Sequence, residues 1–217
     1  KPNTDENPNY KSIAVIGNYL PRLCGIATFT TDVVEYLCAQ KNVKTCWAVA
    51  INDRPEGYDY SDKVRFEIDQ KRIEDYKLAA EFINVNQPEI VCLQHEYGIF
   101  GGSEGSYILN LLADLRIPVV TTMHTVLANP SEQQQIVTKR LAQCSDQIVV
   151  MSNKAVDLLA TIYEVDRRKI VYIPHGIPDV PFLDPSYFKD KFSVSGKKVL
   201  LTFGLLSQNK GIEFAIK

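Results

Sequence analysis

The chain lacks most features that would assign it quickly. No N-x-S/T glycosylation sequon occurs, and Asn129 misses only because Pro130 follows it. The five cysteines (Cys24, Cys38, Cys46, Cys92, Cys144) are odd in number and widely spaced, with no C-x-x-C pair. A disulfide framework or zinc knuckle needs paired spacing, so reduced cysteines in a cytoplasmic protein are expected. Charge of one sign is not in excess: Lys+Arg 24 against Asp+Glu 26 leaves a net charge of −2. No basic field exists to gather nucleic acid or acidic lipid. Apolar runs stay well short of the ~18 residues of a membrane span, and the polar opening KPNTDENPNY is no signal peptide. The first residue is Lys1 rather than Met, which points to trimming or an arbitrary start. What remains is ordinary globular material, 217 residues with 45% hydrophobic and 23% charged, longer than one average domain and shorter than two.

Short apolar runs recur along it. Ser12–Gly17, Thr45–Ile51, Glu89–Gln94, Pro118–Met123, Gln147–Met151 and Lys169–Ile173 read as strands that are almost continuously apolar, the mark of strands covered on both faces in a parallel sheet. Val64–Ile68 alternates and belongs nearer an edge. Between the runs lie stripes of helical period: Ile26, Phe29, Val33 and Leu37; Tyr76, Ala80 and Ile83; Ile108, Leu111, Leu112 and Leu115; Ala155, Leu158, Leu159 and Ile162. Strand and helix alternating this regularly predict an α/β fold with a Rossmann-like, doubly wound parallel sheet over residues 1–177. Residues 178–196 carry three prolines and no long periodic run, as a connector would. Lys198–Phe203 (KVLLTF) reads as one further buried strand, so residues 197–217 are expected to be the first β-α unit of an incomplete second domain, truncated after its first strand. A strand without neighbours should seek a partner, which makes self-association through 198–203 an expectation.

Ligands of an open parallel sheet bind beyond the carboxyl ends of its strands. All three histidines, His95, His124 and His175, follow predicted strands there. Any one alone is most often an ordinary loop residue; three on one edge favour a shared site. The nucleotide fingerprints are missing. Gly17 and Gly25 stand eight positions apart with no G-x-G-x-x-G, Asp53 lies 36 residues after Gly17 where a ribose-binding acid sits ~20 after the fingerprint, and no P-loop occurs. Gly25 before a helix would let a phosphate reach N-terminal amides, or serve only the turn. Glu96 beside His95 could bond sugar hydroxyls, with Tyr97 as a stacking face. Ser152 is placed to cap a helix from Asn153, and Arg167–Lys169 reads as a solvated loop. The histidines are far apart in sequence and D-x-D is absent, so no metal site is expected.

Four segments, PVVTTMHT, the strand-to-helix turn at Ser152, IPHGI and FGLLSQNKG, together resemble the retaining glycosyltransferases of family 4, which have the GT-B fold. The resemblance covers nearly the whole chain. It implies two Rossmann-like domains facing a cleft, the acceptor recognised mainly by the first and a nucleotide-sugar by the second. It also implies no cofactor and no divalent metal. Position by position, Gly25 matches the glycine that meets the donor diphosphate, His124 the histidine beside the reacting sugar, and Lys210 the lysine that clamps the diphosphate. His95, Glu96, Tyr97 and His175 are then expected on the acceptor and sugar side. One departure stands out: the usual clamp arginine is replaced by Leu205. A non-catalytic sugar- or nucleotide-binding module, or a sugar phosphorylase or epimerase of the same layout, remain alternatives. The segment alone is expected to be inactive, because one wall of the cleft is missing. Sugar, nucleotide and acceptor are not legible.

Overall fold

The computed structural model describes residues 11–177, 180–203 and 211–216. The chain divides into two units, 1–175 and 176–217. The first is built on strands β1 (Ser12–Gly17), β2 (Thr45–Asn52), β3 (Val64–Asp69), β4 (Ile90–His95), β5 (Val119–Met123), β6 (Gln147–Val150) and β7 (Ile170–Tyr172). The helices between them are α1 (Gly25–Cys38), α2 (Ile73–Asn86), α3 (Ile108–Asp114), α4 (Glu132–Cys144) and α5 (Asn153–Thr161). All seven strands are parallel, in the order β3-β2-β1-β4-β5-β6-β7. This is the expected doubly wound α/β sheet. Its strand order reverses between β1 and β4, and the crevice beyond those two carboxyl ends is where such folds place ligands.

Alternation along β1 explains the two cores. Ile13 and Val15 point to a cluster shared with Ala48 and Ala50 of β2 and Val34 of α1. Ala14 and Ile16 face the other side, in a larger cluster with Trp47, Leu93, and residues of α2, α3, α4 and α5. Both faces are covered, so the strands carry apolar residues at nearly every position. β3 lies at one edge and its burial alternates, as its sequence predicts.

Several details differ from the reading of the sequence. The stripe of α1 is rotated: Ala27, Thr30, Thr31 and Val34 are buried, and Phe29 is only half-buried. The threonines can turn inward because Thr30 and Thr31 bond the carbonyls of Ile26 and Ala27 at 2.7 and 2.9 Å. α4 has a weak apolar signature, EQQQIVTKRLAQC, and is held instead by a capping box between Ser131 and Gln134 together with buried Val137 and Leu141. His95 is the last residue of β4 rather than a loop residue after it.

In the second unit, the stretch read as a connector contains a helix, α6 (Pro185–Lys191), capped by Asp184 with Pro185 at its first position. A short helix α7 (Ile212–Ile216) follows later. Lys198–Phe203 is not a buried strand: it has no strand assignment, and Leu200 and Phe203 are 82% and 85% exposed. A ladder needs a neighbouring strand, and none pairs with it among the described residues. Lys210 and Leu205 lie outside the described residues. Among the described residues no helix is long and apolar enough to cross a membrane.

Candidate functional site

The carboxyl edge of the first unit assembles a connected set of side chains. β5 ends at Met123, and His124 follows at once, its amide donating to the carbonyl of His95 at 3.0 Å. That bond continues the β4–β5 ladder by one residue and fixes the backbone from which the imidazole projects. The ring is held by Gln94 of β4, whose Oε1 lies 3.0 Å from His124 Nε2. A carboxamide oxygen only accepts, so Nε2 carries the proton and Nδ1 is left with its lone pair. Gln94 is itself buried. It was not singled out from the sequence; a glutamine inside an otherwise apolar strand was the available signal.

Phe29 of α1 touches both remaining parts of this group. Its ring meets His124 edge-on at 4.7 Å between centroids and His175 at 5.3 Å. Phe29 stands one helical turn beyond Gly25, so α1 ties the glycine to the two histidines. A cleft of about 550 Å³ opens here, lined by His124, Thr125, Met151, Ser152, Lys154 and His175 among others. Ser152 caps α5, its Oγ accepting from the amide of Ala155 at 3.2 Å. Burial, then the neighbouring charge of His175, pushes the His124 pKa down to about 4. Its imidazole is therefore neutral at neutral pH.

Gly17, at the end of β1, is needed for packing. A Cβ there would meet Thr30 Oγ1 at 2.8 Å and the Gln94 Cβ at 3.1 Å. Gly25 is different. A Cβ there would find nothing within 4 Å, and its φ is not in the left-handed region. Neither packing nor the turn demands a glycine at this position. Cys24 caps α1 through its sulfur, which accepts from Ala27 N at 3.3 Å, and the amides of Gly25 and Ile26 have no partner among the described residues. A second cleft, about 490 Å³, adjoins this helix start. In it Arg22 bonds Asn18 Oδ1 and the Ile51 carbonyl, both at 3.0 Å, and pairs with Asp53 at 3.5 Å. Burial works against the Asp53 carboxylate, but the Tyr58 hydroxyl at 2.8 Å and the Arg22 charge outweigh it and hold its pKa below the usual value. Arg54 lies over the Tyr58 ring, 3.9 Å from its centroid.

Three expected contact residues are turned inward. His95 is 1% exposed, stacked on Phe100 and edge-on to Tyr97, with neither ring nitrogen hydrogen-bonded. Burial, then the nearby His124, pushes its pKa down to about 3, so it is a neutral packing group. Tyr97 is buried with its hydroxyl 2.6 Å from Thr138 Oγ1, which removes the stacking face expected of it. Glu96 spends both oxygens on structure: Oε1 accepts from the Tyr97 amide at 3.0 Å, and Oε2 accepts from the Thr125 hydroxyl. A short turn, Tyr97–Ile99, begins directly after β4, and it swings these side chains under the edge rather than over it. Of the four, His175 alone lines the cleft.

The sequence model of glycosyltransferase family 4 matches residues 25–179. The chain belongs to glycosyltransferase family 4. No curated protein sequence matches it significantly. Among solved structures, the fold recurs in a glycosyltransferase from Rickettsia africae ESF-5, with a TM-score of 0.61 and 19% identity over 86% of this chain and 50% of that one. The apo form of the lipopolysaccharide outer core galactosyltransferase WaaB gives a TM-score of 0.54 and 12% identity over 77% of this chain and 47% of that one. At these identities the likeness is one of fold. The chain spans about half the length of both structures.

Proposed function

We propose that this chain forms the acceptor-side domain of a transferase that moves a hexose from a nucleotide diphosphate-sugar to a hydroxyl acceptor with retention of configuration. The observation that carries this reading is the joining of His124, oriented by Gln94, to the open start of α1 through Phe29. Breaking the anomeric bond puts negative charge on the departing diphosphate and positive character on the sugar ring. The unpartnered amides of Gly25 and Ile26 suit the first, at the positive end of a helix dipole. Lys210 would add a cation from the second domain. A neutral imidazole suits the second: His124 can lie beside a sugar that is gaining positive charge without repelling it, and its Nδ1 lone pair can accept a sugar hydroxyl.

In this scheme His124 orients and polarises, and the departing phosphate oxygen takes the proton of the attacking hydroxyl on the same face. No divalent metal and no cofactor enter. His95, Glu96 and Tyr97 support the site from beneath, while acceptor contacts fall to His175 and to the cleft of Arg22, Asp53 and Tyr58. Free thiols at all five cysteines suit work in the reducing cytoplasm.

The test uses the full-length protein with a panel of nucleotide-sugars and acceptors. Transfer releases a nucleoside diphosphate without any need for inorganic phosphate; phosphorolysis would consume phosphate and yield a sugar phosphate. His124→Ala should lower kcat by on the order of 10²-fold, the usual cost of a misplaced reacting group. Normal turnover by that variant would remove His124 from the mechanism. Absence of any nucleoside diphosphate release across the panel would remove the transfer reading itself.

A further inference from the structure

At the opposite, amino-terminal edge of the sheet lies a cluster that sugar transfer does not use. Cys38 is the last residue of α1 and Cys46 the second residue of β2. The Cys38 thiol donates to the Cys46 carbonyl at 3.3 Å, and both cysteines belong to the same core cluster. Lys63, just before β3, brings its Nζ to 3.6 Å from the Cys38 sulfur. All three line one cavity of about 190 Å³ together with Lys44, Arg65 and Asp62. The two sulfurs are unequal. Cys38 is half-buried at a helix end, whereas Cys46 is 4% exposed within the sheet. Cys92 of β4, packed against the same core cluster as Cys46, does not line the cavity.

We propose that Cys38 and Cys46 are a peroxide-oxidisable dithiol, with Cys38 the sulfur that reacts and Cys46 the one that resolves it. The Cys38 thiolate attacks hydrogen peroxide or a small hydroperoxide: an S–O bond forms, the O–O bond breaks, and the departing hydroxide or alkoxide takes a proton from the Lys63 ammonium or from water. The Cys46 thiol, whose pKa burial pushes up to about 12, then attacks the Cys38 sulfur and gives its proton to the departing oxygen. The S–S bond forms, the S–O bond breaks, and the second hydroxide leaves as water. Two thiols and one peroxide thus give one disulfide and two oxygen products, both carried off as water or alcohol. The basic cavity supplies the entrance and the proton donor, and the seating of Cys38 against the Cys46 backbone, in the same cavity, favours disulfide closure over further oxidation of Cys38. The link would join the end of α1 to β2 within one layer of the first unit. This proposal does not depend on the transfer reading.

The experiment is non-reducing peptide mapping of the full-length protein after hydrogen peroxide treatment and alkylation. Lys41 and Lys44 lie between the two cysteines, so trypsin separates them into peptides that stay joined only through the disulfide. The expected product is that linked pair, with loss of two alkylatable thiols. Cys46→Ala should leave a sulfenic acid on Cys38 that dimedone captures. Lys63→Met, on a side chain outside the core, should slow thiol loss roughly tenfold, the scale set by a nearby cation on thiol reactivity. A Cys46–Cys92 linkage, the same rate of thiol loss in Cys38→Ala as in the unaltered protein, or thiols untouched by peroxide would each overturn the proposal. Because Cys38 is half-buried, its alanine variant keeps the test open even if Cys46→Ala fails to fold.

Discussion

Two segments of similar composition behave in opposite ways. Pro118–Met123 (PVVTTM) and Lys198–Phe203 (KVLLTF) are both short, β-branched and apolar, and both read as strands. The first becomes β5, hydrogen-bonded to β4 on one side and β6 on the other, with Val119 and Met123 at 2% and 3% exposure. The second has no strand partner among the described residues and is mostly exposed. An apolar run gains its stability from the ladder and the covering helices, and without them it is only a sticky length of chain.

That contrast is sharpened most by mutating the paired side. Leu93, fully buried in β4 within the larger core cluster, should cost about 2–5 kcal/mol as Leu93→Ala, read by urea unfolding. A loss under ~1 kcal/mol would mean the sheet is far looser than its burial indicates. Next comes Gly17→Ala. The added methyl meets Thr30 Oγ1 at 2.8 Å and the Gln94 Cβ at 3.1 Å. We expect a loss of about 1–3 kcal/mol, together with weakened turnover, because the shift passes through Gln94 to His124. Stability lost with turnover intact would show that Gln94 does not position that ring.

Acid should expose the same asymmetry. His95 is neutral in the fold, with its pKa pushed from 6.5 down to about 3, while in the unfolded chain it takes a proton near its ordinary value. As pH falls below 6.5 the unfolded state therefore binds more protons, and stability declines by up to about 1.4 kcal/mol per unit for such a group. His124 adds to the decline between 6.5 and about 4. The predicted readout is a midpoint of urea unfolding that drops steadily from about pH 6.5 to pH 4. His95→Leu should flatten that drop; an unchanged slope would exclude His95 as its source. The smallest effect belongs to the unpaired segment. Leu200→Ser should change stability by within about 0.5 kcal/mol, since little apolar surface is lost. A large loss would reveal that this residue is buried in solution, as self-association through 198–203 requires.

The fold was largely legible because the five inner strands, β1, β2, β4, β5 and β6, are covered on both faces, which writes burial into the sequence as nearly unbroken apolar runs. α4 was not, since its burial rests on a few positions and a side-chain cap rather than a stripe. At the site, the positions of His124 and Gly25 could be read from their place after a strand and before a helix. The inward turn of His95, Glu96 and Tyr97 could not. Residues one position apart at a strand end differ in facing by half a turn, and only the short helix at Tyr97–Ile99 decides which of them meets solvent.

By itself the sequence determined the layered α/β architecture and the parallel sheet, because local period and burial repeat along the chain, and its motifs carried the family resemblance. Tertiary structure alone decided that Gln94 orients His124, that Phe29 joins it to the start of α1, and that Cys38 meets Cys46 under Lys63. Those contacts join residues from different elements. Their geometry is set by strand register and helix rotation, which no stretch of sequence records on its own.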